Sequence, residues 1–421
     1  DTRLANEIEA VNKTLADADT LGSIMKFNLS PAAREWVVSL GEENETAQLV
    51  LALTDKYAAL VMNPPYMGGG NMNAVLSQYV KLNYPEGKAD LMTVFMMKAM
   101  DAILPNGYWG MINLPSWMFL SSFETLRKDI VKHQHIHSLL HLGRGVFGSD
   151  FGSVAFTMQN VVFTAKGYYR RLFKEHVQVR TVEKIHQLFL DKSYGVYWAD
   201  QQNFEKIPGC PIGYWVSEKM IAIYRNNALG QNFIIKEGLK TGDNDHYIKM
   251  WFEISYKKVN LKWFPHTKGG EFRRWYGNNL YLLNYENDGS ELKDFHGSSL
   301  TGKELYFRPY ITYGRIGSGK FNSRFTSWGY IPNMAGLAIY HDENNLFHLY
   351  EALAITNSKI IQSALWLQNP TLNNPPGVVA GLPCLEVNNN ILVMTEQNIS
   401  ISKSDWDAHE TSWDFQENEL V

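Results

Sequence analysis

Two cysteines in 421 residues, Cys210 and Cys384, are too few for a disulfide framework or a four-cysteine zinc site. No apolar run reaches the roughly 18 residues of a membrane-spanning helix, and no charged stretch leads into an apolar one at the N-terminus. Internal repeats and low-complexity tracts are missing too, which excludes solenoids and long linkers. These absences leave a soluble protein in a reducing, cytoplasmic setting, with no membrane partner and no metal site expected. Hydrophobic residues, by contrast, make up 45% of the chain and charged ones 19%. That is enough for a sizeable core and, at this length, for two or three domains.

The formal net charge of −4 conceals an asymmetry. Between Trp251 and Tyr330 there are 12 Lys/Arg against 7 Asp/Glu, and between Ile331 and Val421 there are 2 against 11. A basic surface and an acidic end fit this spread. An ordinary solvated surface fits it as well, so charge alone decides nothing.

Up to about residue 165 the chain alternates apolar strand patterns with helical ones. "PAAREWVVSL" and "NETAQLVLALTDKY" read as helices, the second with Thr46 as a possible N-cap. "YAALVM" reads as a short buried strand. "DLMTVFMMKAMDAIL" reads as a helix stopped at Pro105-Asn106-Gly107, and "YWGMINL" as the next strand. "SFETLRKDIVKH" is an amphipathic helix, "IHSLLHL" a strand, and "GSVAFTMQNVVFTAK" suggests a strand pair. This spacing predicts an α/β parallel sheet with an antiparallel edge. After Lys166 aromatics, glycines and short alternating segments predict a mixed α+β, β-rich second domain over 166–385, with one helix in "YEALAITNSKIIQSALWLQ". The stretch 386–421 is an acidic, aromatic-containing tail or the start of a further domain, expected to dock on a surface.

Asn63-Pro64-Pro65-Tyr66 follows the first strand directly. This N-P-P-Y box suits methylation of an amino group such as adenine N6, whose lone pair is delocalised into the ring. The side-chain oxygen of Asn63 and the carbonyl of Pro64 can each accept one N–H, drawing the nitrogen toward tetrahedral geometry. Proline locks φ and so fixes where its carbonyl points. Tyr66 offers a flat face to a base rotated out of the duplex. The bland alternative is a proline-rich turn, but four specified residues in a strand-then-loop setting favour the chemical reading. Gly68 to Gly70 leave room for a base, or form a plain surface loop. Phe147 would face Tyr66 across the flipped base, with Phe151 as its rival. Asp90 reads as a helix N-cap before a base contact. "HQHIH" at 133–137 lacks partners at metal-ligand spacing, and "GRIGSGK" at 314–320 lacks the full phosphate-loop pattern.

The glycine-rich loop that normally cradles the methyl donor is not found in the 62 residues ahead of Asn63. The expectation is that the chain is an excerpt and that this loop lies upstream of Asp1. The cofactor-binding residues are therefore unknown.

"YAALVMNPPYMGGGNMN", "LPNGYWGMINLPSWMFLSSFETLR" and "HLGRGVFGSDFGSVAF" resemble the second half of a gamma-type adenine-N6 DNA methyltransferase. More narrowly, "NPTLNNPPGVVAGLP" and "SDWDAHETSWDF" resemble the PglX family of bacteriophage-exclusion (BREX) systems. The resemblance implies a Rossmann-like methyltransferase domain over 1–165, incomplete at its front, and a target-recognition domain over 166–385. It implies transfer of a methyl group from S-adenosylmethionine to a flipped adenine in double-stranded DNA. Other phage-defence proteins and phage-encoded inhibitors are the further partners implied. Asn63, Pro64 and Tyr66 match the target-amine box and Phe147 the stacking aromatic. Arg273, Arg274, Arg308, Arg315, Lys320 and Arg324 are the candidates for DNA contact. Two rival readings remain: a DNA-binding specificity or phage-recognition module, and an amino methyltransferase acting on RNA or protein glutamine.

Overall fold

The structure, a computed structural model, describes residues 2–148, 151–162, 165–174, 178–317, 320–343, 345–369 and 373–417. It divides into two compact units, Asp1–Val216 and Ser217–Val421.

Among the helices that open the first unit are α1 (Thr2–Leu15), α2 (Pro31–Ser39) and α3 (Glu45–Thr54). Ser30 caps α2 by accepting the Ala33 amide at 3.2 Å, and Pro31 takes the first position, where its missing N–H costs nothing. The cap of α3 is Asn44, not Thr46. Asn44 holds the extended backbone a cap requires and accepts the Ala47 amide at 2.9 Å, which leaves Thr46 inside the first turn.

Six strands follow: β1 (Tyr57–Met62), β2 (Ile103–Asn113), β3 (His135–Arg144), β4 (Gly152–Gln159), β5 (Gly167–Arg171) and β6 (Val196–Ala199). They form one sheet in the order β1-β2-β4-β3-β5-β6. Helices α4 (Ala74–Asn83) and α5 (Leu91–Ala102) cross over between β1 and β2, which therefore run parallel. Helix α6 (Glu124–His133) leads from β2 to β3.

The sheet has the antiparallel edge that the sequence predicts, β6 beside β5, and a second antiparallel strand inside it. Only a short loop joins β3 to β4, so β4 returns antiparallel and lies between β2 and β3. "GSVAFTMQNVVFTAK" supplies β4 alone, paired with β2 and β3 and not with itself. Nor is β1 buried. It is the sheet's edge among the described residues, and Val61 is 87% exposed. Pro105-Asn106-Gly107 lies within β2 as a bulge, between the pairs Tyr57–Ile103 and Ala59–Tyr108, with Asn106 at φ +65°.

Met92, Met96 and Ala99 of α5 pack with Trp109, Trp117 and Phe156 into the core beneath the sheet. Burial of each large side chain there stabilises by about 1.5–3 kcal/mol. The first unit continues past residue 165 for identifiable reasons. Strands β5 and β6 extend its sheet, and the Ile212 amide donates to Met118 O at 3.0 Å. Arg127, fully buried on α6, donates to the carbonyls of Trp117, Leu120, Gly209 and Cys210. Its charge is satisfied by carbonyl dipoles, and the loop around residue 210 is clamped in consequence. Residues 166–216 thus belong to the first unit, not to the second as the composition suggests.

Among its described residues the second unit holds two four-stranded sheets. One has the order β13-β9-β10-β8 and the other β12-β11-β14-β7. Their strands are β7 (Ile234–Lys236), β8 (Ile248–Met250), β9 (Trp263–Thr267), β10 (Tyr281–Asn284), β11 (Tyr310–Gly314), β12 (Ser323–Thr326), β13 (Ile331–Pro332) and β14 (Gly336–Tyr340). Helices α7 (Leu346–Asn357), α8 (Lys359–Gln368) and α9 (Asn389–Asp407) pack on the second sheet through Leu349, Leu353, Leu365 and Ile399. The single helix expected here is two, because Ser358 turns extended and caps α8 through the Ile361 amide at 3.1 Å. The acidic end docks onto its own unit, with Trp406 buried and Trp251 Nε1 donating to Thr411 O at 3.0 Å. Among the described residues no helix is long and apolar enough to cross a membrane.

Candidate functional site

Strand β1 ends at the Met62–Met111 pair, and the chain then leaves the sheet as Asn63-Pro64-Pro65-Tyr66. Two consecutive prolines remove two amide donors and lock φ, which fixes the directions of the carbonyls they carry. Asn63 is exposed, Pro64 is buried and Tyr66 is half-buried. The Tyr66 hydroxyl lies 3.2 Å from Asn63 Oδ1 and 3.3 Å from Ile112 O, so its one proton serves either acceptor. Partial burial of the ring raises the hydroxyl's pKa, which keeps it a donor.

The loop is held from the other side by Asp90. This residue caps α5 by accepting the Met92 amide at 3.0 Å, and the same oxygen accepts the Met67 amide at 3.2 Å. One carboxylate thus anchors both the helix and the residue after Tyr66, a second role that its cap position does not announce. The Gly69 amide donates to Ala89 O at 2.9 Å, and a Cβ on Gly69 would sit 3.1 Å from Lys88 O. Gly68 and Gly70 face open space, and none of the three has positive φ. Close approach explains Gly69, and room explains the other two.

The aromatic neighbour of Tyr66 is Phe151. Their ring centroids are 6.3 Å apart at 79°, an edge-on contact, and Phe147 lies a further 6.3 Å beyond Phe151. The sequence puts Phe147 first, but the geometry puts Phe151 next to Tyr66 and Phe147 one ring outward. Residues 149 and 150 between them lie outside the described residues. Sequence reasoning missed Asn113. It is buried at the end of β2, accepting from Trp117 Nε1 at 3.0 Å and steadying the backbone next to Ile112. A polar residue closing an apolar strand is the only signal it gives.

The histidines of "HQHIH" do not converge. His133 pairs with Asp129 at 2.8 Å at the end of α6, while His135 is buried in β3 and His137 lies edge-on to Tyr108. The described residues ahead of β1 form helices and turns, so no strand-to-helix glycine turn suited to a methyl donor is seen there.

In the second unit most of the named cations already have partners. Arg273 pairs with Asp405 at 2.9 Å and lies over Trp406. Arg315 pairs with Glu237 at 2.6 Å, and Arg308 donates to His341 O at 2.6 Å. Arg274 lies over Phe272. Arg324 is not the surface contact the sequence suggests. It is 2% exposed, donating to Asn322 Oδ1 at 3.0 Å, and burial, then Arg273, lowers its pKa to about 10. It forms part of the lining of a 510 Å³ cleft with Phe272, Lys320, Asn322 and Asn374. Lys320 is exposed at that cleft, while residues 318, 319 and 370–372 lie outside the described residues.

A model of the Eco57I restriction-modification methylase family matches residues 6–147. The adenine-specific methyltransferase BrxX of Escherichia coli strain HS is 34% identical, over all of this chain and 37% of its own length. The adenine-specific methyltransferase PglX of Lacticaseibacillus casei strain Zhang is 32% identical, over 95% of this chain and 37% of its own. The chain therefore spans little more than a third of these curated relatives. Among solved structures, the Type IIL restriction-modification enzyme MmeI in complex with DNA aligns at a TM-score of 0.51 and 11% identity. That match covers 85% of this chain and 50% of MmeI, and it shows a shared fold.

Proposed function

Since the chain belongs to the family of adenine-specific methyltransferases that includes BrxX and PglX, we propose that it grips the target in a site-specific DNA methyltransferase acting on adenine N6. S-adenosylmethionine would supply the methyl group. The residues that hold it are not assigned, because the acceptors at the end of β1 suit an amine and not a cofactor. The work of this chain's own residues lies with the target. Asn63 Oδ1 has two lone pairs, so it can accept the amine while Tyr66 donates to it and orients the carboxamide. The carbonyl of Pro64 takes the second N–H, and the amino nitrogen is left with a localised lone pair. Tyr66 and Phe151 provide ring faces for a base turned out of the duplex, worth roughly 1–3 kcal/mol per stacked base.

The second unit is the proposed target-recognition domain. Its support is the local excess of cations between Trp251 and Tyr330 and the cleft carrying Lys320, Asn322 and Asn374. The proposed setting is the bacterial cytoplasm and a phage-exclusion system, with double-stranded DNA, other defence proteins and phage-encoded inhibitors as partners. The observation that carries this reading is the exposed Asn63 with Tyr66 3.2 Å from its oxygen. Asn63→Ala in the intact protein tests it. Loss of adenine methylation from host DNA is expected, with thermal stability unchanged, and persistence of methylation would overturn the assignment.

A further inference from the structure

We propose that His341, Glu343 and His348 form a binding site for a divalent transition-metal ion of the zinc class. The sequence reading expects no metal site, and the spacing His-x-Glu-x4-His matches none of the familiar short motifs. The fold brings these residues together. His341 follows β14 directly, Glu343 lies two residues on in the turn, and His348 sits in the first turn of α7. One ligating atom from each lies within 4.8 Å of the other two. The two imidazoles stack with centroids 4.1 Å apart, and His348 Nε2 is 3.9 Å from Glu343 Oε2.

Three features favour a cation over an incidental cluster. First, His348 Nδ1 lies 2.9 Å from Glu351 Oε2, one helical turn along α7. That contact fixes the proton on Nδ1 and turns the Nε2 lone pair toward Glu343. A carboxylate orienting a ligating histidine in this way is the usual support of a metal ligand. Second, the His341 ring stacks on that of His348, so both imidazoles are gathered at one cluster. The Glu343 amide makes a long 3.3 Å contact to His341 Nδ1, which coordination at this ring would replace. Third, the cluster opens onto a 790 Å³ cleft that Asn232, Cys384 and Glu386 also line. Two imidazoles and a carboxylate with an open fourth position suit zinc, whose tetrahedral donors stand about 3.3 Å apart. Small side-chain rotations close the remaining distance, and water or a ligand from the cleft completes the shell.

The test uses the intact, tag-free protein, stripped with a chelator and titrated with Zn²⁺ by calorimetry, with metal content measured after dialysis. One ion per chain is expected. Glu351→Gln should weaken binding about 10–100-fold, and Glu343→Gln with His348→Gln should abolish it. Glu343 is exposed, so Glu343→Gln alone should weaken binding without lowering the metal-free unfolding temperature. Co²⁺ in place of Zn²⁺ should give visible absorption that the double variant lacks. Equal binding by wild type and the double variant, or no stoichiometric binding by wild type, would overturn the site. Neither readout depends on methylation.

Discussion

The Tyr66 hydroxyl stands 3.2 Å from Oδ1 of Asn63 and 3.3 Å from the carbonyl of Ile112. On the proposed reading, the aromatic residue of the motif does two jobs, offering a ring face and holding the carboxamide that would receive the target amine. The two jobs separate by mutation. Tyr66→Phe keeps the ring, so target affinity should hold while the rate falls several-fold as Asn63 loses its fixed orientation. Tyr66→Ala removes the stacking surface too, and KM for DNA should rise roughly 5- to 150-fold, as expected for about 1–3 kcal/mol of stacking. Steady-state kinetics on a DNA substrate would separate them. Equal effects of the two variants would mean that the hydroxyl has no part of its own.

Asp90 couples the motif to α5, because one oxygen accepts both the Met92 and the Met67 amides. Asp90→Ala should cost about 1 kcal/mol of stability, the usual worth of a cap. It should also release the backbone after Tyr66 and lower kcat more than the stability loss explains. Asp90→Asn keeps the accepting oxygen and should restore most of both. Thermal unfolding beside single-turnover rates would show whether cap and motif are linked.

The place of the N-P-P-Y box, leaving the end of β1, was legible because it is four consecutive residues that directly follow an apolar run. The order of the aromatics beyond it was not, since Phe147 and Phe151 share one loop and only its path puts Phe151 beside Tyr66. An apolar run such as "YAALVM" reports an ability to be buried, but not which neighbours cover it, and here β1 lies at an edge. The unit boundary escaped for a different reason. Arg127, a charged residue on an amphipathic helix, reads as surface, yet it reaches the carbonyls of Gly209 and Cys210 and ties that segment to the first unit. The position of β4 depends on a short connection from β3, which composition does not reveal.

His266 is fully buried, donating from Nδ1 to Ile331 O at 2.8 Å while its Nε2 meets Asn333 Nδ2 at 3.0 Å. Burial lowers its pKa from the ordinary 6.5 to about 4. The unfolded chain therefore takes up a proton between pH 6.5 and 4 that the folded chain refuses. Stability from this group is present in full above pH 6.5 and is lost as pH falls toward 4, by about 3 kcal/mol in total. His266→Gln should be less stable at neutral pH and show a shallower loss over that window. Parallel slopes for variant and wild type in denaturant melts at pH 7, 6 and 5 would exclude His266 as the source.

Lys320 and Arg324 lie at the same cleft with opposite exposures, and the two should fail differently. Lys320 is exposed, so Lys320→Ala should leave the unfolding temperature unchanged and weaken DNA binding alike for cognate and unrelated duplexes. If it meets a phosphate, the slope of log affinity against log salt should fall by about 1. Arg324 is 2% exposed and held by Asn322, so Arg324→Ala opens a cavity beneath the cleft. About 2–4 kcal/mol of stability should go with it, and binding should weaken through the disordered cleft floor with the salt slope kept. Fluorescence anisotropy across a salt series, run beside thermal melts, distinguishes the cases. A changed salt slope for Arg324→Ala at unchanged stability would place that guanidinium on the DNA after all.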